Sequence, residues 1–205
     1  MGAVVALETL LQQRQVWKGQ PTGLPDTVQP TGHVALDAAL PTGGWPDTAL
    51  SEILHAHEGL GELQLLWPTL ARLSAAGERI MLVAPPFIPY VPAWQSAGID
   101  QQQLSMVNAA GEQALWAAEQ CLRSGCFAAV LCWPQRAGDR ALRRIQVAAE
   151  TGQTLAFAFR SLAEASNPSP AALRLVIDGL PGQVRILKCR GGRPSSSPIQ
   201  FLRGR

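Results

Sequence analysis

Charge is scarce in this chain of 205 residues, and neither sign dominates. Charged residues make up 16% of the sequence, whereas about a quarter is usual in globular domains. The 17 basic and 15 acidic residues give a formal net charge of +2, which excludes a polycation built to coat nucleic acid. Hydrophobic residues at 47% exclude a disordered chain, so we expect one globular domain with a sizeable core.

Long apolar runs and a leader-like start are also missing. No stretch approaches the ~18 consecutive apolar residues of a transmembrane helix, so we expect no membrane span. The first apolar segment contains Glu8 and lacks the basic residues that begin a secretory signal peptide. We therefore expect a cytoplasmic protein that does not bind membranes.

Cysteine and histidine are too few, and too poorly spaced, for a metal centre. Cys121 and Cys126 have no histidine or further cysteine at the spacing of a zinc site. His55 and His57 lie close together but also lack further ligands. We expect no bound metal, and cysteines that serve as small apolar core residues in a reducing compartment.

Short apolar runs alternate with helical stretches from residue 31 onward. Continuous apolar runs predict buried strands over 79–84, 127–133 and 155–159, and shorter runs predict strands over 49–55 and 104–107. Helical spacing predicts helices over 60–76, 111–124 and 139–151, and a turn over 179–182 predicts a hairpin of strands 173–178 and 183–189. This alternation indicates an α/β fold, with a mostly parallel sheet and helices on both faces.

The first 30 residues are predicted to be an attachment to this core. Residues 3–18 have the spacing of an amphipathic helix, with Leu7, Leu11 and Trp17 among its apolar residues. Residues 19–32 are rich in Gly and Pro, as is typical of a linker. The helix packs on its own domain in one interpretation, and on a second copy of the chain or a partner in the other.

A motif over residues 31–54 carries a resemblance to a known family. It combines Thr-Gly-x-x-x-Leu-Asp-x-x-Leu with a Gly-Gly-hydrophobic-Pro turn, and it resembles the segment before the first core strand of the RecA recombinase family. The matching residues are Thr31, Gly32, Leu36, Asp37, Leu40, Gly43, Gly44, Trp45 and Pro46. Residues 110–125 and 143–160 resemble later units of that family. The resemblance implies a RecA-like core over 31–190, after the helix and linker of 1–30 and before a flexible basic tail over 191–205.

The phosphate loop of that family is degenerate in this chain. The motif Gly-x-x-x-x-Gly-Lys-Ser/Thr aligns with residues 56–63, where Gly61 is kept but Ala56 stands for the first glycine. Glu62 stands for the lysine, and its carboxylate repels phosphate where the lysine attracts it. Leu63 stands for the hydroxyl residue and cannot ligate magnesium.

Two acidic positions of the family are also replaced. The strand over 79–84 runs into Pro85 and Pro86 instead of the residue that activates water, and the strand over 127–133 ends in Trp133 instead of the Walker B aspartate. Because three independent requirements fail together, we expect no nucleotide cofactor, no nucleotide hydrolysis and no enzymatic activity.

Further features narrow the resemblance to the ImuA family, RecA-like accessory proteins of bacterial translesion synthesis. They are Val16-Trp17-Lys18-Gly19, the motif over 31–54, Arg143-Arg144-Ile145-Gln146 and Gly191-Gly192-Arg193-Pro194. The resemblance implies a non-catalytic adaptor in mutagenesis induced by DNA damage, with ImuB, an error-prone DNA polymerase and RecA as partners. The alternative is a SulA-type cell-division inhibitor that binds FtsZ, because the two groups are commonly classed together.

Two groups of arginines are candidates for contact with single-stranded DNA or an acidic partner. The first is Arg136, Arg140, Arg143 and Arg144, at spacings that place basic residues on one helix face near the DNA-binding loops of RecA proteins. The second is Arg190, Arg193, Arg203 and Arg205, in a stretch from 185 that has six basic residues and no acidic one. The alternatives are a solvated helix face for the first group and a tail that only aids solubility for the second.

Overall fold

One eight-stranded sheet organises the computed structural model, which describes residues 29–134, 137–177, 180 and 182–201. The strands are β1 (Leu50–His55), β2 (Ile80–Val83), β3 (Leu104–Val107), β4 (Ala129–Cys132), β5 (Leu155–Ser161), β6 (Leu173–Ile177), β7 (Gln183–Cys189) and β8 (Ser195–Gln200). Their order in space is β3-β2-β4-β5-β1-β6-β7-β8. The six strands from β3 to β6 in that order are parallel, and β7 and β8 add antiparallel. The α/β fold class with a mostly parallel sheet is confirmed.

Helices cover both faces of the sheet, as the sequence predicts. They are α1 (Val34–Ala39), α2 (Trp67–Ala75), α3 (Val91–Ser96), α4 (Gly111–Arg123) and α5 (Asp139–Gly152), with short 3₁₀ turns at Gln101–Gln103 and Leu162–Ser166. Side chains of each strand alternate between two cores: Ile80 and Leu82 of β2 pack toward α2, whereas Met81 and Val83 pack toward α4 and α5. None of the helices in the described ranges is long and apolar enough to cross a membrane.

The motif over 31–54 has a structural role at the start of the core. The Thr31 N–H donates to the Asp37 carboxylate at 2.8 Å, which closes the turn ahead of α1. The Trp45 indole N–H donates to the Thr69 hydroxyl at 2.8 Å, and that hydroxyl donates to the Thr31 carbonyl at 3.1 Å. Trp45 is fully buried, with its ring edge-on to Phe157 of β5. The motif therefore fastens residues 31–45 to α2 and to the middle of the sheet.

Three elements differ from the sequence prediction. The helix predicted over 60–76 begins only at Trp67, because Pro68 has no N–H to donate and is accepted only in the first turn of a helix. The short helices α1 and α3 were not predicted. Residues 1–28, with Leu7, Leu11 and Trp17 of the predicted N-terminal helix, lie outside the described residues.

The tail that the sequence predicts over 191–205 contains a strand, β8. This strand pairs with β7, and the Phe201 N–H after it donates to the Gly182 carbonyl at 2.8 Å. Phe201 is buried against the core and Ile199 is half-buried on it, so alternate apolar residues hold the strand in place. The serines and prolines of this segment are typical of a loop. The two apolar side chains of Ile199 and Phe201 are nevertheless enough to pack an edge strand against the core.

We expect Gly152→Ala to destabilise the fold strongly. A Cβ at Gly152 would lie 1.8 Å from the Leu122 carbonyl oxygen, so α4 and α5 would have to move apart in a core built largely of alanine. Overpacking of this kind costs roughly 1–3 kcal/mol or more.

The matched control is Gly138→Ala, since a Cβ at Gly138 meets no atom within 4 Å and the residue has an ordinary negative φ. Chemical denaturation of both variants measures the difference. Equal stability of the two variants would show that the close contact between α4 and α5 is not a constraint.

Candidate functional site

The carboxyl ends of the parallel strands surround a cavity of about 490 Å³. Open α/β sheets bind their ligands at this edge, where chains leave neighbouring strands toward opposite faces. The cavity lies beyond β1, β2, β4 and β5, and its lining includes residues of the degenerate phosphate loop. The lining residues are His55, Ala56, His57, Glu58, Ala84, Pro86, Trp133, Pro134, Phe159, Arg160, Ser161 and Glu164.

The loop after β1 satisfies its own backbone with a side chain. The Gly59 N–H donates to Oε1 of Glu62 at 3.0 Å, and Glu62 is only 8% exposed. Gly59 and Gly61 both have positive φ, so the glycines still provide the left-handed turns of a phosphate loop. Oε2 of Glu62 has no partner among the described residues. A carboxylate therefore accepts a loop N–H of the kind that a phosphate loop offers to phosphate.

The helix that should follow a phosphate loop is displaced. Turns rather than a helix occupy the residues after Gly61, and α2 begins at Trp67. Leu63, at the predicted hydroxyl position, is half-buried and packs against the core. Phosphate loops place their ligand at a helix N-terminus, where free N–H groups and the helix dipole attract an anion. In this chain that end of α2 lies five residues or more along the sequence from the loop glycines.

Apolar groups occupy the ends of β2 and β4. Trp133 follows β4 and stacks on Phe159 of β5, with ring centroids 4.6 Å apart and planes within 10°. Ala84 follows β2 with φ of 54°, a conformation that costs a residue with a Cβ about 1–2 kcal/mol. Both residues line the cavity.

A buried ionic network forms the base of this edge. Glu52 of β1 is fully buried and binds Arg160 of β5 at 2.7 Å and Arg174 of β6 at 2.5 Å. Arg160 also donates to the Ala137 carbonyl at 2.6 Å and to Glu164 at 3.0 Å. The Arg174 guanidinium donates to three backbone carbonyls in the turn after β5, those of Glu164, Ala165 and Asn167. Three neighbouring strands and two loops are thus joined through one carboxylate.

The sequence analysis missed this network, although it left a signal. Glu52, Arg160 and Arg174 are single charges within otherwise apolar strands, one in each of three strands that become neighbours. A charge in a buried strand needs a partner, because an isolated ion is costly to remove from water. Searching the predicted strands and the residues next to them for complementary single charges would have found it, since Arg160 directly follows the strand predicted over 155–159.

The cysteines divide into core and surface residues. Cys132 of β4 is buried beside the network, and burial raises the pKa of its thiol to about 12, with nearby Arg160 lowering it and Glu52 raising it. Cys126 is exposed in the turn between α4 and β4, where its N–H donates to the Ser124 hydroxyl. The expectation of core cysteines is therefore confirmed for Cys132 and wrong for Cys126. No group of three or more potential metal ligands occurs in the described residues.

Three members of the first arginine group lie on α5, away from the cavity lining. Arg143 binds Asp139 at 2.7 Å, Arg144 binds Glu119 of α4, and Arg140 is exposed. The internal ion pairs of Arg143 and Arg144 reduce the positive charge that this face offers to phosphate. Arg136 lies outside the described residues. The role of this group in binding DNA or a partner stays a prediction.

The second arginine group lies at the far end of the sheet. Arg190 and Arg193 are exposed in the connection between β7 and β8, whereas Arg203 and Arg205 lie outside the described residues. Ala56 and Gly61 of the degenerate phosphate loop lie beyond the end of β1. The loop and the two arginine groups therefore belong to different parts of the structure. No described residue of these groups other than Ala56 lines the main cavity.

Comparison with known proteins finds similarity to solved structures. No protein-family model and no curated protein matches the chain. Among solved structures, the crystal structure of SulA from Pseudomonas aeruginosa is similar at 25% sequence identity with a TM-score of 0.46. The alignment covers 54% of this chain and 97% of that chain.

We expect Glu52→Gln to be among the most destabilising conservative changes in the core. The amide keeps the shape of the side chain but leaves the buried Arg174 without a counter-charge and Arg160 with only the partly exposed Glu164. Breaking such a buried network by removing one partner costs about 3–5 kcal/mol.

Glu119→Gln is the matched control, because Glu119 also binds two arginines, but Arg123 and Arg144 keep half or more of their side-chain surface in water. It should cost about 1 kcal/mol or less. Urea unfolding of both variants compares them, and a loss at Glu52→Gln no larger than the control would contradict the role given to the network.

Proposed function

We propose that this chain is a non-catalytic adaptor with a RecA-like core that acts through protein contacts in translesion mutagenesis induced by DNA damage. One observation carries the non-catalytic part of the proposal: the Gly59 N–H donates to the Glu62 carboxylate at 3.0 Å. The loop that holds phosphates in RecA-type proteins is folded here around an internal anion. Its chemistry therefore disfavours the ligand on which catalysis depends.

Electrostatics in the cavity support the same reading. A nucleotide triphosphate entering from solvent would meet the carboxylates of Glu58 and Glu164, while Glu62 occupies the loop. Two like charges 4 Å apart near a protein surface repel by about 4 kcal/mol. Arg160 is the one arginine among the described residues of the lining, and its guanidinium is already bound to Glu52 and Glu164. The described lining thus offers phosphate no lysine or arginine that is free of a carboxylate partner.

The positions that would hold magnesium and activate water in a RecA-type protein also lack suitable side chains. Leu63 packs into the core, and the ends of β2 and β4 carry Ala84 and Trp133. Divalent magnesium needs carboxylate, hydroxyl or phosphate oxygens in near-octahedral geometry, which these three side chains do not offer. A RecA-like core without oxygen ligands at these positions is suited to binding partners rather than to turnover.

The biological assignment rests on the sequence resemblance to the ImuA family. That resemblance names ImuB, the error-prone polymerase and RecA as partners, with single-stranded DNA and self-association as further contacts. The fastening of the motif over 31–54 supports it indirectly, because Thr31, Asp37 and Trp45 act together at the start of the core. The competing assignment is a SulA-type inhibitor of FtsZ. It predicts a different partner, so binding experiments distinguish the two assignments.

We expect the full chain to neither bind nor hydrolyse ATP. Adding magnesium and ATP should leave its melting temperature unchanged, because a ligand that binds the native state raises stability by roughly 2.7 kcal/mol at 100 times its Kd. Phosphate release should stay at the level of buffer.

RecA serves as the positive control under the same conditions. Glu62→Gln serves as the internal control, since it removes the anion from the loop without supplying the lysine. Turnover by the unmodified chain that is lost in Glu62→Gln would contradict the proposal.

We expect the purified chain to bind ImuB or its polymerase complex, and not to inhibit the GTPase activity of FtsZ. Sedimentation with each purified partner measures binding, and phosphate release by FtsZ in the presence of the chain measures inhibition. Inhibition of FtsZ without binding to ImuB, polymerase or RecA would assign the chain to cell-division control instead. Including Arg190→Glu with Arg193→Glu shows whether the exposed connection between β7 and β8 contributes to binding.

A further inference from the structure

Four large apolar side chains are exposed in a row beside the cavity. They belong to the segment between β2 and α3 and to the first residue of α3, with exposed fractions of 69% for Phe87, 84% for Ile88, 71% for Tyr90 and 46% for Val91. No charged residue occurs from Ile80 to Ile99, so nothing charged interrupts this row along the chain. Contiguous apolar surface of this kind marks interaction sites, because single exposed apolar residues are common but clusters are not.

The row is continuous with the cavity. Pro86 lines the cavity and directly precedes Phe87, so the apolar surface begins at the cavity mouth. We name Phe87, Ile88, Tyr90 and Val91 together with the cavity the docking face. Across the mouth, the stacked rings of Trp133 and Phe159 provide an aromatic wall.

The carboxylates and guanidiniums of the described lining leave a net negative charge. Glu52 and Glu164 balance Arg160 and Arg174, whereas Glu58 also lines the cavity and forms no ion pair with a described residue. A cationic side chain is therefore attracted and a phosphate is repelled. Aromatic rings add to this preference, since guanidinium and ammonium groups pack favourably against the faces of Trp and Phe.

Two buried polar atoms in the lining have no partner in the described part of the chain. They are Nδ1 of His55 and Nε of Arg160, in residues that are 7% and 4% exposed. Leaving such an atom unpaired costs about 1–3 kcal/mol. A ligand that supplies the missing hydrogen-bonding group recovers this free energy and binds more tightly. Nε of Arg160 is a donor and needs an acceptor such as a carbonyl, which a free metal ion or a simple amine does not provide.

We propose that the docking face binds a peptide segment of a partner protein that places one Lys or Arg side chain in the cavity and apolar side chains on Phe87, Ile88, Tyr90 and Val91. The cation lies between Glu58 and Glu164 against the aromatic wall, and a backbone carbonyl of the peptide accepts from Arg160. The inference deepens the proposed function, because it requires that no nucleotide fills the cavity. Charge complementarity selects this occupant over nucleic acid.

Selection of random peptides of about twelve residues on the immobilised full chain tests the proposal. Enriched peptides should carry a basic residue next to apolar ones, and the best of them, made synthetically, should lose affinity when that residue becomes Gln. Binding should fall at least about tenfold with Glu58→Arg or with Ile88→Asp, as for central contacts of an interface.

Two control variants match these changes at distant positions. Glu78→Arg reverses an exposed charge at the opposite edge of the sheet, and Val34→Asp alters a side chain that is 86% exposed, against 84% for Ile88. Both should keep affinity within about twofold, because surface changes away from a contact cost little. Melting temperatures of all four variants check that they are folded.

Each other outcome overturns part of the argument. No enrichment, or peptides that are acidic or lack a basic residue, would refute the docking face, as would equal binding by Glu58→Arg and Glu78→Arg. Self-association of the chain that is lost in Ile88→Asp would assign the face to a second copy instead of a partner peptide. Displacement of the peptide by ATP would show that the cavity takes a nucleotide and would refute the proposed function on which the docking face rests. Failure of peptide binding without any binding of ATP would refute the docking face alone, so the two failures are distinguishable.

Discussion

The buried carboxylate of Glu52 is the interaction on which the cavity edge depends. It lies on the central strand β1 and binds arginines of both neighbours, Arg160 of β5 and Arg174 of β6. The two arginines in turn hold the chain just before α5 and the turn after β5 through backbone carbonyls. Hydrophobic packing alone would stabilise these strands in several registers. The Glu52 carboxylate must reach both arginines, so it allows only one register. The network therefore specifies where the loops around the cavity begin, more than it adds net stability.

The loop and the strand ends at this edge are held in part by the chain's own side chains. Gly59 and Gly61 turn the loop with positive φ, and Glu62 supplies an acceptor for the Gly59 N–H. In a phosphate loop, such N–H groups bind phosphate instead. Trp133 follows β4 and stacks on Phe159, which fills the space beside the loop with aromatic rings.

Much of this fold follows from patterns that the sequence displays openly. Runs such as residues 79–84 and 127–133 predict buried strands, because both faces of a parallel sheet are covered. The failures have physical causes: Pro68 delays α2, and two apolar side chains, those of Ile199 and Phe201, seat a strand in a segment rich in serine. The degenerate loop was visible as substitutions, but the bond from Gly59 to Glu62 was not, since it depends on the turn of the loop. The Glu52 network joins residues more than 100 positions apart in sequence, which local patterns do not reveal.

The cavity itself is a consequence of topology rather than of catalysis. After β1 the chain passes to α2 on one face of the sheet, and after β4 it passes to α5 on the other. Chains that diverge in this way leave a gap at the carboxyl edge whatever residues line it. Changing the lining from cationic to acidic therefore changes what the gap binds without closing it. A segment such as Phe87 to Val91, apolar yet exposed beside that gap, is costly to leave in water and is best explained by a second molecule that covers it.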